Sequence, residues 1–578
     1  MDTASAPNRR LIAWLIGMAL FTFVVLLHLS FPNIGGSGLQ MPFNATVWMG
    51  FVLMTAIALW PAAHGVIRYS PFHQGLGLLL LAFWLPFAWS WNEASLMALP
   101  RMLTVTAGAL LLLGLAQPGL TRRDWWWIGM AILAGALLET AYALGQYYFL
   151  GPGLWINYDP EYGRPFGIFQ QPNPLASFLV TGLAVSVWLM REARGWPGLA
   201  ITGLAPLFIP LAVLLTYSRT GWLAFVIVVP LLLAYLLLTS RRHFLLWGGL
   251  LAAGCLLAAI GWMTIEAEDV ARSGTSLGTP GIRLGIYAHG IDMILQKPFT
   301  GWGYGRFQHD FIHSLAEARA ADPAVDLVIT TNMAHPHNEL LQWGIEGGLL
   351  PVLAMLGLGG YVAWRILTSG LGAERLLLVC LPLPLLLHSM TELPFYHSIA
   401  HFLAFLLLLG FVVSRTETFR ERDFRYTFSI RIGAFLATPL LLLFFATHLH
   451  TLFKVADHVY GITSKPEPLA AIINPFGMYR QLEFIQMSRQ VDAAAAIGFD
   501  GPIVEYAQWA EERKALIPRP ELYYNLRLAY RALGDADAIE RVEAEAEWLY
   551  PSFQAMYEKK PPSDTVEMMP PGLSDISR

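Results

Sequence analysis

Through residues 1–452 the chain alternates between long apolar runs and short polar breaks. A helix that crosses a bilayer needs about 20 mostly apolar residues. Thirteen runs come close enough to read as spans: 11–29, 44–62, 74–91, 96–116, 125–150, 174–190, 197–216, 221–239, 244–264, 340–364, 374–390, 397–414 and 430–452. Pro86, Pro100 and Arg101 interrupt the third and fourth. The run-free stretch 265–339 is too long for a plain connection and rich in aromatics and glycines (GIRLGIYAHGIDMILQKPFTGWGYGRF), so it is expected to fold. After 452 the runs stop and charge density rises, which predicts a second, helical domain over 453–560 and a disordered end over 561–578. Arg519 to Pro551 has the pattern of one tetratricopeptide repeat, with Tyr523, Leu526, Tyr530, Gly534, Ala546 and Pro551 near that repeat's positions. One repeat cannot bury its own face, so helices expected around 475–515 should stack on it.

The arginines orient the spans. Arg9 and Arg10 precede the first. Arg68, Arg122 and Arg123, Arg191 and Arg194, and Arg241 and Arg242 follow the second, fourth, sixth and eighth. Arg365 and Arg375 flank the connection after the tenth, and Arg415, Arg420, Arg422 and Arg425 follow the twelfth. The short odd-numbered loops hold only Arg164 and Arg219. Basic loops stay in the cytoplasm, which puts the N-terminus inside and, after thirteen spans, the C-terminal domain outside. The first run is too long for a signal-peptide core and lacks a small-residue cleavage site, so it reads as an uncleaved anchor.

Composition agrees. The chain is 55% hydrophobic and 13% charged, against about 25% charged in soluble proteins. The predicted class is an all-α polytopic membrane protein of about 13 transmembrane helices. A net charge of −4 gives no reason to expect nucleic acid. Cys255 and Cys380 both fall inside apolar runs and offer neither a disulfide framework nor metal-ligand spacing.

The unusual polar stretches all fall on the outer face. RPFGIFQQPNPLAS precedes the sixth span, YSRTGW the eighth, AHPHNELL the tenth and TELPFYH the twelfth. Arg219 offers a planar fork suited to phosphate oxygens, or else an anchor at the headgroups. Arg283 and Arg306 are further candidates in the outer loop, or simply solvated charges. Pro336 suits a first helical position, which places His337 near a helix start, where a helix dipole favours a neutral imidazole able to accept a proton. The alternative for His337 and His335 is a helix-cap histidine. Gln170, Gln171 and Asn173 could hydrogen-bond sugar or phosphate, or cap the loop, and the same choice holds for Glu392 and Tyr396. His335, His337 and Glu339 could converge on a metal only from an extended segment, and His309 and His313 lack a zinc-protease glutamate. GWGYG at 301–305 lacks the strand and helix of a dinucleotide fingerprint.

The order QPN, SRTG, an outer loop with arginines and GWG, HPHNELL and ELPFYH resembles the O-antigen ligase and Wzy polymerase superfamily over nearly the whole chain. Within it the chain is most similar to bacterial protein O-oligosaccharyltransferases of the PglL type. Where that family commonly reads E-Y-P-L-W-Y, this chain reads Glu392-Leu-Pro-Phe-Tyr396-His397. The resemblance implies a GT-C-like enzyme of the bacterial inner membrane, with its active site, loop 265–339 and C-terminal domain in the periplasm. It would transfer a glycan from undecaprenyl diphosphate to Ser or Thr hydroxyls of periplasmic or pilin-like proteins, without cofactor or metal. It further implies His337, Arg219 and Arg283 as catalytic residues. Gln171 and Tyr396 match the family's functional glutamine and tyrosine, and Asn173, His335, Asn338, Glu392 and Arg306 are expected to bind substrate beside them. An O-antigen ligase acting on lipid A core, a polymerase acting on a second lipid-linked glycan, and a transporter remain as alternatives. The absence of paired Gly/Pro-broken spans argues against the transporter.

Overall fold

A computed structural model describes residues 8–263, 282–330, 332–464, 467–497, 499–551 and 553. The predicted disordered end, 561–578, lies outside the described residues, as do residues 265–281 of the predicted outer loop. The chain forms two compact units. The first comprises Met1–Leu80, Leu103–Gly278 and Met355–Asn474; the second comprises Leu81–Met102, Thr279–Ala354 and Pro475–Arg578.

Among the described residues, 12 helices are long and apolar enough to cross a membrane, and they coincide with twelve of the thirteen predicted runs. The exception is 374–390, where two short helices, Glu374–Cys380 and Leu383–Ser389, meet at a break. Pro382 and Pro384 cause it, because proline has no N–H to donate and its ring clashes with the preceding turn. The broken pair still traverses the first unit. At one end Glu374 accepts from Arg415 Nε at 3.2 Å, and just past the other Thr391 Oγ1 lies 2.9 Å from Thr220 Oγ1. The tenth predicted span begins later than expected. Residues Glu339–Gly347 form a separate helix, and the apolar helix Leu349–Thr368 follows a turn at Gly348. That turn needs glycine: φ is +76°, and a Cβ would fall 2.8 Å from Pro298 O.

Helix Pro172–Glu192 is the centre of the first unit, buried along almost its whole length. Helices Leu349–Thr368 and Thr427–Tyr460 are only 11% buried and expose Leu, Ile and Phe outward, as a lipid-facing surface would. Helices Trp196–Leu215 and Arg241–Met263 approach closely at Gly254, where a Cβ would meet Pro206 O at 2.2 Å. Pro210 has no N–H for that carbonyl, which leaves it facing the neighbouring helix.

The first unit is two-sided. Arg9 pairs with Asp124 at 3.1 Å, Arg122 with Glu192 at 2.7 Å, Arg365 with Glu417 at 2.8 Å and Arg68 with Glu421 at 3.5 Å. Strands Val66–Tyr69 and Arg420–Asp423 pair antiparallel in the same layer. Each pair keeps its arginine partly exposed to water, where ion pairs contribute little, so these contacts serve here to locate the loops. They join the N-terminal segment with loops after the second, fourth, sixth, tenth and twelfth runs, the set that the arginine alternation assigned to one face. Loops after the first, fifth and seventh runs meet at the opposite end of this unit. There Asn157 Nδ2 donates to Phe31 O at 2.8 Å and Arg164 Nε donates to Thr216 O at 2.8 Å.

The second unit contains helices Arg283–Gln296, Phe307–Ala321 and Glu339–Gly347. The GWGYG turn wraps the end of the last. Trp302 N donates to Ile345 O at 2.8 Å, and Gly303 N to Glu346 O at 3.0 Å. Glu346 forms a buried ion pair with Arg101, whose guanidinium lies 4.3 Å from the Trp343 ring centroid. The C-terminal part is an array of helices Tyr479–Ile497, Asp500–Lys514, Pro520–Leu533 and Ala536–Leu549. Tyr523, Leu526, Ala529, Val542 and Ala546 fill its core, so the repeat-like pair does stack on preceding helices. Helix Phe307–Ala321 meets the last of them, with Arg319 Nη2 donating to Trp548 O and Leu549 O at 2.9 Å each.

Candidate functional site

In the first unit three of the four polar stretches come together. Asn173, in the first turn of helix Pro172–Glu192, accepts from Ser218 Oγ at 2.7 Å and donates to Glu392 Oε1 at 3.3 Å. Ser218 in turn caps helix Arg219–Thr239 by accepting from Gly221 N at 3.1 Å. Thr220 reaches Thr391. One further contact brings in the second span: Asn44 donates to His397 O at 2.8 Å and accepts from Ile399 N at 2.8 Å, at the start of helix Ile399–Thr416. Four helices, Pro42–Leu59, Pro172–Glu192, Arg219–Thr239 and Ile399–Thr416, therefore begin at the end of the unit opposite the basic loops. Their positive dipole ends favour an anion there.

Arg219 is the first residue of its helix and is exposed. Gln171 occupies the cap position before Pro172, yet its side chain makes no capping bond and is exposed, which leaves the amide available. Tyr396 sits in the short turn Pro394–His397 and is 43% exposed. The loop leading to Gln171 is held from beneath. Gln146 Oε1 accepts from Phe166 N and Gly167 N at 3.1 and 2.8 Å, and Glu139 Oε2 accepts from Ile168 N at 3.1 Å. His28 Nε2 lies 3.1 Å from the other oxygen of Glu139. Gly167, at φ +61°, admits this approach, since a Cβ would fall 2.1 Å from Glu139 Oε2. Sequence reasoning passed over Glu139, although an ionisable residue inside an apolar run is itself a functional signal.

In the second unit His337 precedes helix Glu339–Gly347. Asn338, not Pro336, starts that helix: its side chain accepts from Leu341 N at 3.1 Å. The expectation of Pro336 at the first helical position is corrected accordingly, the Asn338 amide cap fixing the first helical residue at Glu339, three residues later. His337 adopts φ +53°. Its N–H donates to His335 Nδ1 at 3.2 Å, and its carbonyl accepts from Tyr287 OH at 3.0 Å. The two imidazole rings stand 4.5 Å apart. Arg283 lies one helical turn before Tyr287, on the helix face that meets this segment. Glu339 is helical and buried rather than extended, so the alternate-residue spacing that a metal reading of His335, His337 and Glu339 required does not form. Burial pushes the Glu339 carboxyl up to about 7, against the pull of Arg101 and a hydrogen bond from Trp343. Arg306 is committed to Asp310, with Nε–Oδ2 at 2.8 Å and Nη2–Oδ1 at 2.7 Å.

Non-glycine residues with positive φ are costly and cluster where function holds them. Among the described residues they are Asn157, Gln170, Tyr217, His337 and Ser464. Three of these lie in the predicted stretches: Gln170 beside Gln171, Tyr217 before SRTG, and His337 itself. No composition or spacing signal could have shown this.

Three family models match the chain. Residues 165–190 match a protein glycosylation ligase model, 203–356 an O-antigen ligase model, and 376–561 the C-terminal model of virulence factor membrane-bound polymerases. The general O-oligosaccharyltransferase of Acinetobacter baylyi (strain ATCC 33305 / BD413 / ADP1) is 25% identical over 272 residues, 43% of this chain and 43% of its own. The similarity spans less than half of that relative.

Proposed function

We propose that this chain, which is similar to O-antigen ligases and to a general O-oligosaccharyltransferase, moves a preassembled glycan from undecaprenyl diphosphate to Ser or Thr hydroxyls of proteins at the periplasmic face of a bacterial inner membrane. One observation carries the reading: the QPN, SRTG and TELPFYH stretches meet through Asn173 and Thr220 at the end opposite the arginine-rich loops. By the positive-inside rule that end is the outer one, where nucleotide sugars are absent and lipid-linked glycans are present.

In this reading His337 takes the proton of the acceptor hydroxyl. The oxygen attacks the anomeric carbon, the bond from that carbon to the diphosphate oxygen breaks, and the electron pair leaves with undecaprenyl diphosphate. Arg219 and Arg283 stabilise the charge gathering on the leaving group. Each preorganised donor of this kind contributes on the order of a hundredfold in rate. Gln171, Asn173, Glu392 and Tyr396 position donor sugar and phosphate, and His335 and Asn338 hold the His337 segment. The C-terminal helical array, a protein-binding type of repeat, receives the acceptor protein. The match of 376–561 to a polymerase model favours a second reading, in which the acceptor is another lipid-linked glycan.

Intact masses of periplasmic and pilus proteins, compared between cells with and without this chain, test the proposal. A glycan-sized mass on Ser or Thr that depends on the chain supports protein transfer. Unmodified proteins together with shortened surface polysaccharide would overturn it for the polymerase or ligase reading.

A further inference from the structure

Arg164 stands apart from the other arginines at its end of the first unit. Its side chain is half-buried, and among the described residues no carboxylate lies within ion-pair distance of it. Burying a cation without a partner is costly, and such a charge is retained where something else neutralises it. Its geometry is set in advance. Nε donates to Thr216 O at 2.8 Å, in the turn that leads through strained Tyr217 to Arg219. The backbone just after it is fixed by Gln146 and Glu139. The two terminal nitrogens have no protein partner among the described residues. They present the half of the guanidinium fork that grips two oxygens of one phosphoryl group. Burial also pulls the Arg164 guanidinium below its ordinary range, with only the phenols of Tyr162 and Tyr217 acting against that. In the sequence Arg164 is one of the two arginines on the short odd-numbered loops.

We propose that Arg164 is a phosphoryl-binding residue that holds the donor's diphosphate at the SRTG end of the first unit. The inference rests on the proposed function, since it takes the lipid-linked diphosphate as the ligand. It adds that one guanidinium serves both as a brace for the 216–218 turn and as a fork for phosphate.

The test measures binding of undecaprenyl diphosphate, undecaprenyl monophosphate and undecaprenol to the full-length protein in phosphatidylcholine nanodiscs, for wild type, Arg164→Gln and Arg164→Lys. Arg164→Gln is expected to weaken diphosphate binding by about tenfold to a hundredfold, to weaken the monophosphate less, and to leave undecaprenol unchanged. Arg164→Lys should fall between, as a charge without the fork. An equal loss for all three lipids would overturn the proposal in favour of a structural brace only, as would unchanged diphosphate binding. Repeating the series with phosphatidylglycerol separates the other source of phosphate: a variant that loses only retained phosphatidylglycerol would make Arg164 a headgroup anchor and overturn the donor assignment. If wild type fails to prefer the diphosphate, the proposed function falls and takes this inference with it. If wild type prefers it and Arg164→Gln does too, only this inference falls. Melting temperatures of the variants, held to wild type by Arg164→Lys, guard against unfolding as the cause.

Discussion

Glu339→Gln offers a pH-dependent test of how the His337 segment is anchored. The carboxyl is buried at the first position of helix Glu339–Gly347, and burial raises it from 4.5 to about 7. The sign follows from the two states. Below pH 4.5 the acid is neutral both in the folded helix and when the helix opens, so no penalty exists. Between 4.5 and 7 the opened state ionises while the folded state stays protonated, and local stability falls as pH rises. Above 7 both states are ionised and the loss is complete, at about 3 kcal/mol by the conversion of about 1.4 kcal/mol per pH unit. Glutamine keeps an oxygen to accept from Trp343 but does not titrate. Amide hydrogen exchange of residues 340–347 at pH 5 and pH 8, corrected for intrinsic rates, reads the difference. Wild type should lose protection by a factor of about a hundred across that interval, and Glu339→Gln should be flat. A variant with the wild-type pH slope would refute the reasoning, because the titrating group would then lie elsewhere.

Asn173→Leu removes the acceptor of Ser218 Oγ and the donor to Glu392. At about 1 kcal/mol net for each bond, the melting temperature should fall by a few degrees at most while transfer drops by up to about thirtyfold if the junction positions the donor, and normal turnover would dissociate this junction from the chemistry. Reporter fusions after Arg68, Arg123, Arg242 and Arg425 should read cytoplasmic and fusions after residue 453 periplasmic; a cytoplasmic signal from the C-terminal array would break the thirteen-crossing topology. Purified protein should keep transferring glycan in excess chelator, and activity restored by an added divalent ion would return His335 and His337 to the status of candidate ligands.

Much of the first unit was legible because hydrocarbon leaves the chain few options. A spanning segment must satisfy its own backbone, so apolar length alone located twelve helices, most ends within a few residues and the start of Leu349–Thr368 and the end of Thr427–Tyr460 missed by eight or nine. The arginine alternation then predicted which loops meet, and the ion pairs Arg9–Asp124, Arg122–Glu192 and Arg365–Glu417 join loops of that one set. What length and charge cannot encode is local backbone chemistry. Hydropathy reads straight through Pro382 and through Gly348, and so it merged two pairs of helices. The candidate residues were found by type and by which face they occupied; that Asn173 and Glu392 touch each other, and that Ser218 ties Asn173 to the SRTG segment, is visible only in the structure. The supports beneath them, Glu139 and Gln146, sit among apolar residues of helix Arg122–Tyr148. Their role depends on reaching a loop some 20 to 30 residues later in the chain. Arg306 and Arg283 look alike in sequence, which does not show that an i,i+4 pair commits Arg306 to Asp310.

The central claim is glycan transfer from a lipid diphosphate to a protein hydroxyl with His337 as base and Arg219 on the leaving group. Its most direct test is turnover of purified protein with a synthetic lipid-diphosphate sugar and a Ser/Thr acceptor peptide, with donor affinity measured separately. Wild type should form glycopeptide. His337→Ala should bind donor as wild type does and form none, whereas Arg219→Lys should fail with weakened donor binding, because an ammonium cannot reproduce a bidentate fork on phosphate. Near-normal turnover by His337→Ala, or no glycopeptide from wild type, would contradict the account.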